Sequence, residues 1–137
     1  MNQADCIFCR LAGEAPVIEN DHFYGRSDKY PVTQGHLLII PKRHAETLFD
    51  LTDTERGALF ELIEAGKNLL TEQYSPQGFN FGVNQGAAAG QTIAHLHIHI
   101  IPRYTGDMTD PEGGVRGVIP EKQKYRIEHS RGWGQTR

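Results

Sequence analysis

Three histidines, His95, His97 and His99, occupy alternate positions in one apolar run of the sequence. In an extended strand alternate side chains share a face, so the three imidazoles would line one surface while Leu96 and Ile98 point to the other. A helix would separate consecutive histidines by about 200° around its axis. Such a face suits a metal site or nucleophilic catalysis by a central imidazole. A polar strand face without chemistry is the third interpretation, and the spacing alone does not choose between them.

The segment before the histidines favours phosphate chemistry. Residues 85–92 are rich in glycine and alanine, so backbone N–H groups can approach an anion without side-chain obstruction. Asn84 and Gln91 add neutral donors, and Thr92 adds a hydroxyl. Residues 73–106 carry no carboxylate, whereas a metal site that activates water usually has carboxylates beside it. These neighbours favour an anion-binding site over a catalytic metal.

The two cysteines, Cys6 and Cys9, form a Cys-x-x-Cys pair. They could supply half of a zinc site, act as a redox dithiol, or be two buried thiols without a chemical role. A redox pair of the thioredoxin type is expected at the start of a helix that follows a strand, and no strand is predicted before these residues. Four-coordinate zinc would need two further ligands, which must be histidines because the chain has no third cysteine.

Hydrophobic patterning predicts several strands. Residues 22–28 and 36–40 have strand character and are joined by a turn through proline and glycine. Residues 79–84 alternate apolar and small polar side chains, which indicates a half-buried strand. A short glycine-rich loop separates it from the histidine strand at 94–102, so we expect these two strands to be antiparallel neighbours.

The clearest helix spans residues 53–74. Thr52, followed three residues later by Glu55, predicts a capping box, and an apolar stripe at helical spacing follows. We expect this stripe to be core without a cofactor role. Gly66 lies on it and would allow close approach to a sheet, although glycine costs a helix about 1 kcal/mol relative to alanine. A few-stranded antiparallel sheet with one long helix indicates an α+β domain.

Size and charge limit the possible partners. The chain has 137 residues, 38% of them hydrophobic, and a net charge of −3, which suits one domain with its own core. Because the net charge is negative, we expect neither nucleic acid nor an anionic membrane as partner. No apolar run approaches the roughly 20 residues that span a bilayer, and the N-terminus has no secretion signal. We therefore expect a cytoplasmic protein.

The run from His95 to Ile101 resembles the signature of the histidine triad (HIT) proteins. Further matches are Gly35-His36 on the earlier strand and the stretch from Asn84 to Gln91. The segment Cys6-Ile7-Phe8-Cys9 is similar to the zinc-binding bacterial members. The resemblance covers roughly residues 6–104, nearly all of the core.

The resemblance implies that His97 attacks the α-phosphate of a nucleotide and forms a covalent nucleotidyl-histidine, which water then hydrolyses. Imidazole has an ordinary pKa near 6.5, so at neutral pH much of it is an uncharged nucleophile. We expect the backbone carbonyl of His95 to accept the Nδ1 proton of His97, which leaves Nε2 free to attack. By the same resemblance, His99 hydrogen-bonds the phosphate or the leaving group, and His36 helps to hold the phosphates.

Four residues are the substrate-binding candidates. The resemblance places Asn84 and Thr92 against the phosphate or the bridging atom, and Asp28 against the ribose hydroxyls, where a carboxylate can accept two donors. Gln91 joins them as a neutral donor in the same loop.

The resemblance to zinc-containing members also implies a structural Zn²⁺ held by four ligands, with no organic cofactor. Its ligands would be Cys6, Cys9, His44 and His95.

The resemblance further implies a HIT-like fold in which an antiparallel sheet of about five strands, with one long helix and shorter helical segments, continues across a homodimer. One HIT domain would span residues 1–137, with a Gly/Pro-rich extension and tail at about 105–137. Arg116 is a candidate contact for a polyphosphate, and Trp133 for a second subunit.

The expected substrate is an adenosine nucleotide, in the first place a dinucleoside polyphosphate, which the segment from residue 106 to residue 116 favours by resemblance. A nucleoside phosphoramidate is the alternative substrate. Two other classes remain open at this point: a nucleotide-binding protein with little turnover, and a metalloenzyme whose three histidines hold one catalytic ion.

Overall fold

The computed structural model describes residues 5–125, which form a five-stranded antiparallel sheet in the order β1-β2-β3-β5-β4. The strands are β1 (Ile18–Glu19), β2 (Phe23–Ser27), β3 (Leu37–Pro41), β4 (Gly78–Val83) and β5 (Ile98–Arg103). The helices are α1 (Ile7–Leu11) and α2 (Asp53–Tyr74), and short 3₁₀ turns lie between some of these elements and after β5. The predicted α+β class, with about five strands and one long helix, is confirmed.

Helix α2 has the bounds that the sequence predicts. The Thr52 side chain accepts the Glu55 N–H at 3.1 Å, and the Glu55 carboxylate accepts the Thr52 N–H at 2.8 Å, which completes the capping box. Gly66 faces the sheet, where a Cβ would lie 3.0 Å from Leu37 Cδ2 and 3.2 Å from Ile100 Cδ1. The glycine therefore lets the helix lie against the sheet, as predicted.

The two faces of the sheet carry different clusters of buried side chains. The face beneath α2 holds the main core, whose sheet-side members include Phe23, Leu37, Ile39, Leu96, Ile98 and Ile100. The opposite face holds a smaller cluster made of Cys6, Phe8, Tyr24, Leu38 and Ile40. Because strand side chains alternate between faces, the histidines that alternate with the core residues lie on the face away from α2.

The histidine strand is shorter than predicted. Strand β5 begins at Ile98, so His95 and His97 lie in an irregular segment before it. The backbone hydrogen bonds of this segment are not those of a strand ladder. The His95 N–H donates to the Ile93 carbonyl at 2.8 Å, and the Leu96 N–H donates to the Ala45 carbonyl at 2.7 Å. The inward and outward alternation of side chains nevertheless persists through the segment.

The chain divides into one unit that ends at Tyr104 and a second that begins at Thr105. Within the second unit, the Arg116 guanidinium donates to the carbonyls of Lys122 and Gln123 and lies over the Tyr125 ring, 4.6 Å from its centroid. Trp133 and the rest of residues 126–137 lie outside the described residues. Among residues 5–125, no helix has the length and apolar character needed to cross a membrane.

Candidate functional site

His97 has the geometry of a nucleophile. Its Nδ1 lies 2.9 Å from the His95 carbonyl oxygen, which can only accept, so Nδ1 carries the proton and Nε2 keeps its lone pair. This is the hydrogen bond that the sequence analysis predicts. The ring packs edge-on against Phe8 and His99, with centroids 5.1 and 5.3 Å away. His97 is 9% exposed and lines a pocket, so the ring is held firmly and remains accessible from one side.

A second chain of hydrogen bonds sets the proton positions on His36 and His99. The Val32 N–H points at His36 Nδ1 over 3.0 Å, so Nδ1 is the acceptor and Nε2 carries the proton. His36 Nε2 lies 2.9 Å from His99 Nδ1, which must then accept. The remaining His99 nitrogen, Nε2, therefore bears a proton. His97 therefore offers a lone pair at Nε2, and the neighbouring His99 offers an N–H at Nε2.

Asp28 lies beside His36. One carboxylate oxygen accepts the Tyr30 N–H at 2.8 Å, and the other lies 3.4 Å from His36 Nε2. Burial lowers the pKa of His36, although the Asp28 charge acts in the opposite direction. Burial also lowers the pKa of His99, and the adjacent His97 and His36 act in the same direction. Both rings are therefore neutral at physiological pH.

A pocket of about 370 Å³ opens over His97 and His99. Its apolar wall is formed by Ile7, Phe8, Leu11, Leu38 and Ile93. Its polar side chains belong to Arg26, Ser27, Asp28, Lys29, Tyr30, Asn84 and Thr92. Three predicted substrate-binding residues, Asp28, Asn84 and Thr92, thus share one pocket with the nucleophile candidate, and His36 lies behind His99 rather than on the pocket wall.

Gln91 is placed differently from the other candidates. Its amide oxygen accepts the Gly86 N–H at 2.8 Å, and its amide nitrogen donates to the carbonyls of Ile93 and Glu46 at 3.1 and 3.2 Å. It does not line the pocket. Its side chain fixes the backbone of the loop, in which Gly86 and Gly90 adopt positive φ angles of 89° and 94°.

Cys6, Cys9, His44 and His95 meet on the other side of His97. Their four ligand atoms lie within 4.8 Å of one another. The Cys6 Sγ and the His44 Nδ1 lie each 3.2 Å from His95 Nδ1, and Cys9 Sγ lies 3.2 Å from His44 Nδ1. The edges of a tetrahedral zinc site are about 3.3 Å between nitrogens and about 3.5 Å between nitrogen and sulfur, given the usual Zn–N and Zn–S bond lengths. The cluster has nearly these dimensions.

The hydrogen bonding of His95 fits a metal ligand. Its Nε2 donates to the Pro41 carbonyl at 2.8 Å, so the Nδ1 lone pair points into the cluster. Burial lowers the pKa of His95 and keeps it neutral. Burial, together with the neighbouring Cys6, raises the pKa of the Cys9 thiol to about 11. Converging lone pairs beside two sulfurs are the donor set that Zn²⁺ selects.

The three triad rings do not converge on one ion. His95 points into the cysteine cluster, His97 Nδ1 is committed to a carbonyl, and His99 faces His36. Asp28, His36 and His99 also lie close enough to hold a metal. However, the Val32 N–H fixes the proton of His36 on the nitrogen that would have to bind it. The geometry contradicts the metalloenzyme in which three histidines hold a catalytic ion.

The sequence of this chain matches a known domain family over the region that contains most of the site. The HIT domain profile matches residues 12–106, which include the pocket strands and the histidine run. The chain belongs to the HIT family. It is 38% identical over 104 residues to Protein hit of Bacillus subtilis, a match that covers 73% of this chain and 72% of that relative.

Two further HIT relatives carry functional names. Adenylylsulfatase HINT3 of Arabidopsis thaliana is 40% identical over 109 residues, 77% of this chain and 55% of the relative. AP-4-A phosphorylase of Mycobacterium tuberculosis is 39% identical over 85 residues, 61% of this chain and 44% of the relative. Because this chain spans about half of each of these two proteins, their names describe longer molecules.

Solved HIT structures share the fold. A HIT family protein from Bacillus anthracis matches with a TM-score of 0.71 at 30% identity, covering 93% of this chain and 83% of that one. A Zn-bound histidine triad family protein from Mycobacterium smegmatis matches with a TM-score of 0.66 at 32% identity, covering 80% and 82%.

Sequence reasoning missed the second role of α1 in this HIT domain. Helix α1 also contributes to the pocket: Phe8, which lies between the two cysteines, and Leu11, which follows them, form part of the pocket wall. The buried Tyr24 hydroxyl donates to the Phe8 carbonyl at 2.5 Å, and burial raises the pKa of Tyr24 so that it stays protonated. The apolar spacing of Ile7, Phe8 and Leu11 is the signal that could have indicated a short helix with one buried face.

Proposed function

We propose that this HIT protein hydrolyses nucleoside phosphates by transferring the nucleotidyl group to His97. The observation that carries the proposal is the pair of fixed proton positions: a lone pair on His97 Nε2 and an N–H on His99 Nε2, both at the same pocket. A nucleophile and a hydrogen-bond donor placed side by side suit attack on phosphorus, where negative charge develops on the surrounding oxygens.

The proposed reaction has two displacement steps. His97 Nε2 attacks the α-phosphorus, an N–P bond forms, and the bond to the leaving oxygen breaks with its electron pair on that oxygen. Water then adds to the phosphorus, the N–P bond breaks with its electron pair returning to Nε2, and the water proton passes to solvent. His99 donates a hydrogen bond to the phosphoryl or leaving oxygen in both steps. His36 acts as a positioning residue because it holds the His99 tautomer.

The neutral state of His99 bears on the leaving group. A neutral imidazole donates a hydrogen bond readily, but its remaining N–H proton is far too weakly acidic to be transferred. Leaving groups that depart as anions, such as the phosphate chain of a dinucleoside polyphosphate, are therefore favoured over the amine of a phosphoramidate. The names of the relatives adenylylsulfatase and AP-4-A phosphorylase support a nucleotide substrate.

The rest of the pocket suits a nucleoside. The Asp28 carboxylate retains lone pairs for ribose hydroxyls, since each oxygen has only one neighbour in the hydrogen-bond geometry described above. Asn84 and Thr92 supply neutral donors near the reacting phosphate. The apolar wall, with Leu38 on the sheet and Phe8 on α1, accepts a flat base.

We also propose that Cys6, Cys9, His44 and His95 hold one structural Zn²⁺. When bound, the ion cross-links α1 to the segment before β5 and supplies no chemistry to the substrate. The link is relevant to the site because the carbonyl that holds His97 belongs to the ligand His95, and Phe8, which lies between the two cysteines, packs on the His97 ring.

We propose in addition that two copies join their sheets along β4 in a homodimer. Strand β4 is an edge of the sheet, and its outer backbone N–H and C=O groups can pair with another strand. Phe81 on this strand is 45% exposed, which favours a partner that covers it. Light scattering should give twice the chain mass for the wild type and a monomer for Phe81→Lys; a monomeric wild type contradicts the dimer.

Trapping the intermediate tests the function. The wild type is mixed with a dinucleoside polyphosphate labelled at the α-phosphate, quenched within one turnover, and digested to locate the label. We expect an acid-labile adduct on His97 and neither adduct nor hydrolysis in His97→Ala. Full hydrolysis by His97→Ala refutes the nucleophile assignment. Faster turnover of a phosphoramidate with the same nucleoside refutes only the leaving-group argument.

A further inference from the structure

Arg26 carries a guanidinium group that has no role in the proposed reaction. It lies on β2, is partly buried and lines the pocket. Within residues 5–125, no side chain or carbonyl forms a hydrogen bond or ion pair with it. Asp28, two positions along the same face, directs its carboxylate to Tyr30 and His36 instead. A partly buried cation without a partner is costly unless a ligand completes it.

The strand register fixes where this cation lies relative to the chemistry. Arg26 pairs with Leu38, Leu38 pairs with His99, and the three residues form one row across the sheet. Adjacent strands are about 4.8 Å apart, so the Cα of Arg26 lies roughly 10 Å from that of His99. A nucleotide whose phosphate lies over His99 would therefore place its base over Leu38 and the far edge of the base near Arg26.

The chemistry of this end of the pocket selects among possible ligands. A base over Leu38 would lie against the apolar wall of the pocket, which suits a flat ring better than a hydrated phosphate. Asp28 on the same face would also repel a second phosphate there. Arginine has only donors, arranged as a fork that matches two adjacent acceptors. In guanine and hypoxanthine, O6 and N7 form such a pair, whereas adenine presents a donor at position 6.

We propose that Arg26 determines base specificity and makes this protein prefer 6-oxopurine nucleotides to adenine nucleotides. The inference rests on the proposed function, because it needs the phosphate to lie over His97 and His99. It differs from the adenosine substrate that the family resemblance implies. Lys29, which also lines the pocket, has its Nζ 5.8 Å from the Tyr30 ring centroid and is the less available of the two cations.

Matched substrates test the proposal without changing the leaving group. The p-nitrophenyl esters of GMP, IMP and AMP all release the same anion, so kcat/KM ratios report the base alone. We expect the wild type to favour the GMP and IMP esters over the AMP ester about tenfold, the discrimination typical of one bidentate arginine contact. Arg26→Met, which keeps length without donors, should bring the ratio close to one. Arg56→Met, which removes an exposed guanidinium on α2, should keep the wild-type ratio.

The outcomes separate this inference from the proposed function. A wild type that treats the bases alike or favours AMP overturns the base-specificity proposal, even though His97 chemistry stands. Equal loss on all three esters in Arg26→Met also overturns it, because Arg26 would then act on the phosphate. If Arg26→Met does not fold, Arg26→Gln replaces it, and the wild-type preference is already decisive. Absence of turnover and of a His97 adduct with every ester refutes the proposed function itself.

Discussion

Replacing His36 separates positioning from direct catalysis. His36 is 3% exposed, accepts the Val32 N–H at 3.0 Å and donates to His99 Nδ1 at 2.9 Å. His36→Leu removes both hydrogen bonds, each worth about 1 kcal/mol net, and leaves His99 Nδ1 without its donor. We therefore expect the free energy of unfolding to fall by about 2 kcal/mol. His36→Gln keeps an N–H donor at the end of a side chain of similar reach and should recover part of this loss.

The expected effect on catalysis is modest. Without His36, His99 loses about 1 kcal/mol of bias toward the tautomer that presents Nε2–H. The tautomer equilibrium constant then falls about fivefold, so kcat, which follows the fraction of that tautomer, should fall by no more than about fivefold. Deleting the donor itself, as in His99→Ala, should cost about 100- to 1,000-fold, the range typical of a lost oxyanion donor. KM should change little in His36→Leu, because His36 does not line the pocket.

The assay combines urea unfolding with steady-state kinetics on a nucleotide ester at pH 7.5. The predicted order of kcat is wild type, His36→Gln, His36→Leu and then His99→Ala, with the first three within about tenfold. If His36→Leu loses as much activity as His99→Ala, His36 must contact the substrate and the positioning argument is wrong. If its kcat equals that of the wild type, the tautomer of His99 does not need fixing and the hydrogen-bond chain has no catalytic role.

Three further predictions concern the framework. Gly66→Ala should lower the free energy of unfolding by about 1 kcal/mol, because crowding against the sheet outweighs the gain in helix propensity. Gly57→Ala, where a Cβ meets nothing within 4 Å, should raise the free energy of unfolding by a similar amount. Equal effects of the two substitutions in urea unfolding contradict the packing argument. The Arg43 guanidinium and the Thr52 N–H lower the pKa of Glu55 to about 2, from an ordinary value near 4.5, so its stabilising charge is fully present above about pH 4.5 and is lost as the pH falls toward 2. The stability difference between wild type and Glu55→Gln should accordingly be large at pH 7 and shrink below pH 4.5, and a constant difference would refute the ion-pair assignment. Purified protein should contain one zinc per chain by mass spectrometry, and chelation or Cys9→Ala should lower the melting temperature; a metal-free wild type that melts at the same temperature with and without chelator contradicts the structural zinc.

Local patterns in the sequence predicted several features correctly. The capping box predicted the start of α2, and Ser75, Pro76 and Gly78 in the sequence predicted its end, because caps and helix breakers act within a few residues. The alternation around His97 placed the imidazoles opposite the core, and the glycine-rich loop preceded an antiparallel partner. The start of β5 was predicted four residues too early, because the irregular segment bonds to Ala45, a partner distant in sequence.

The sequence by itself determined which chemical groups are available: three alternating histidines, a Cys-x-x-Cys pair, a loop rich in glycine and alanine, and the helix and strands that carry them. Only the tertiary structure decided how the imidazoles divide their work. His95 faces the cysteines and His99 faces His36 because folding brings these groups together from distant parts of the sequence. His97 is held by the His95 carbonyl two residues away and lines the pocket. The proton position on His99, the meeting of Cys6 with His95 and the placement of Arg26 in the pocket depend on contacts between residues far apart in sequence, and no local pattern encodes these distances.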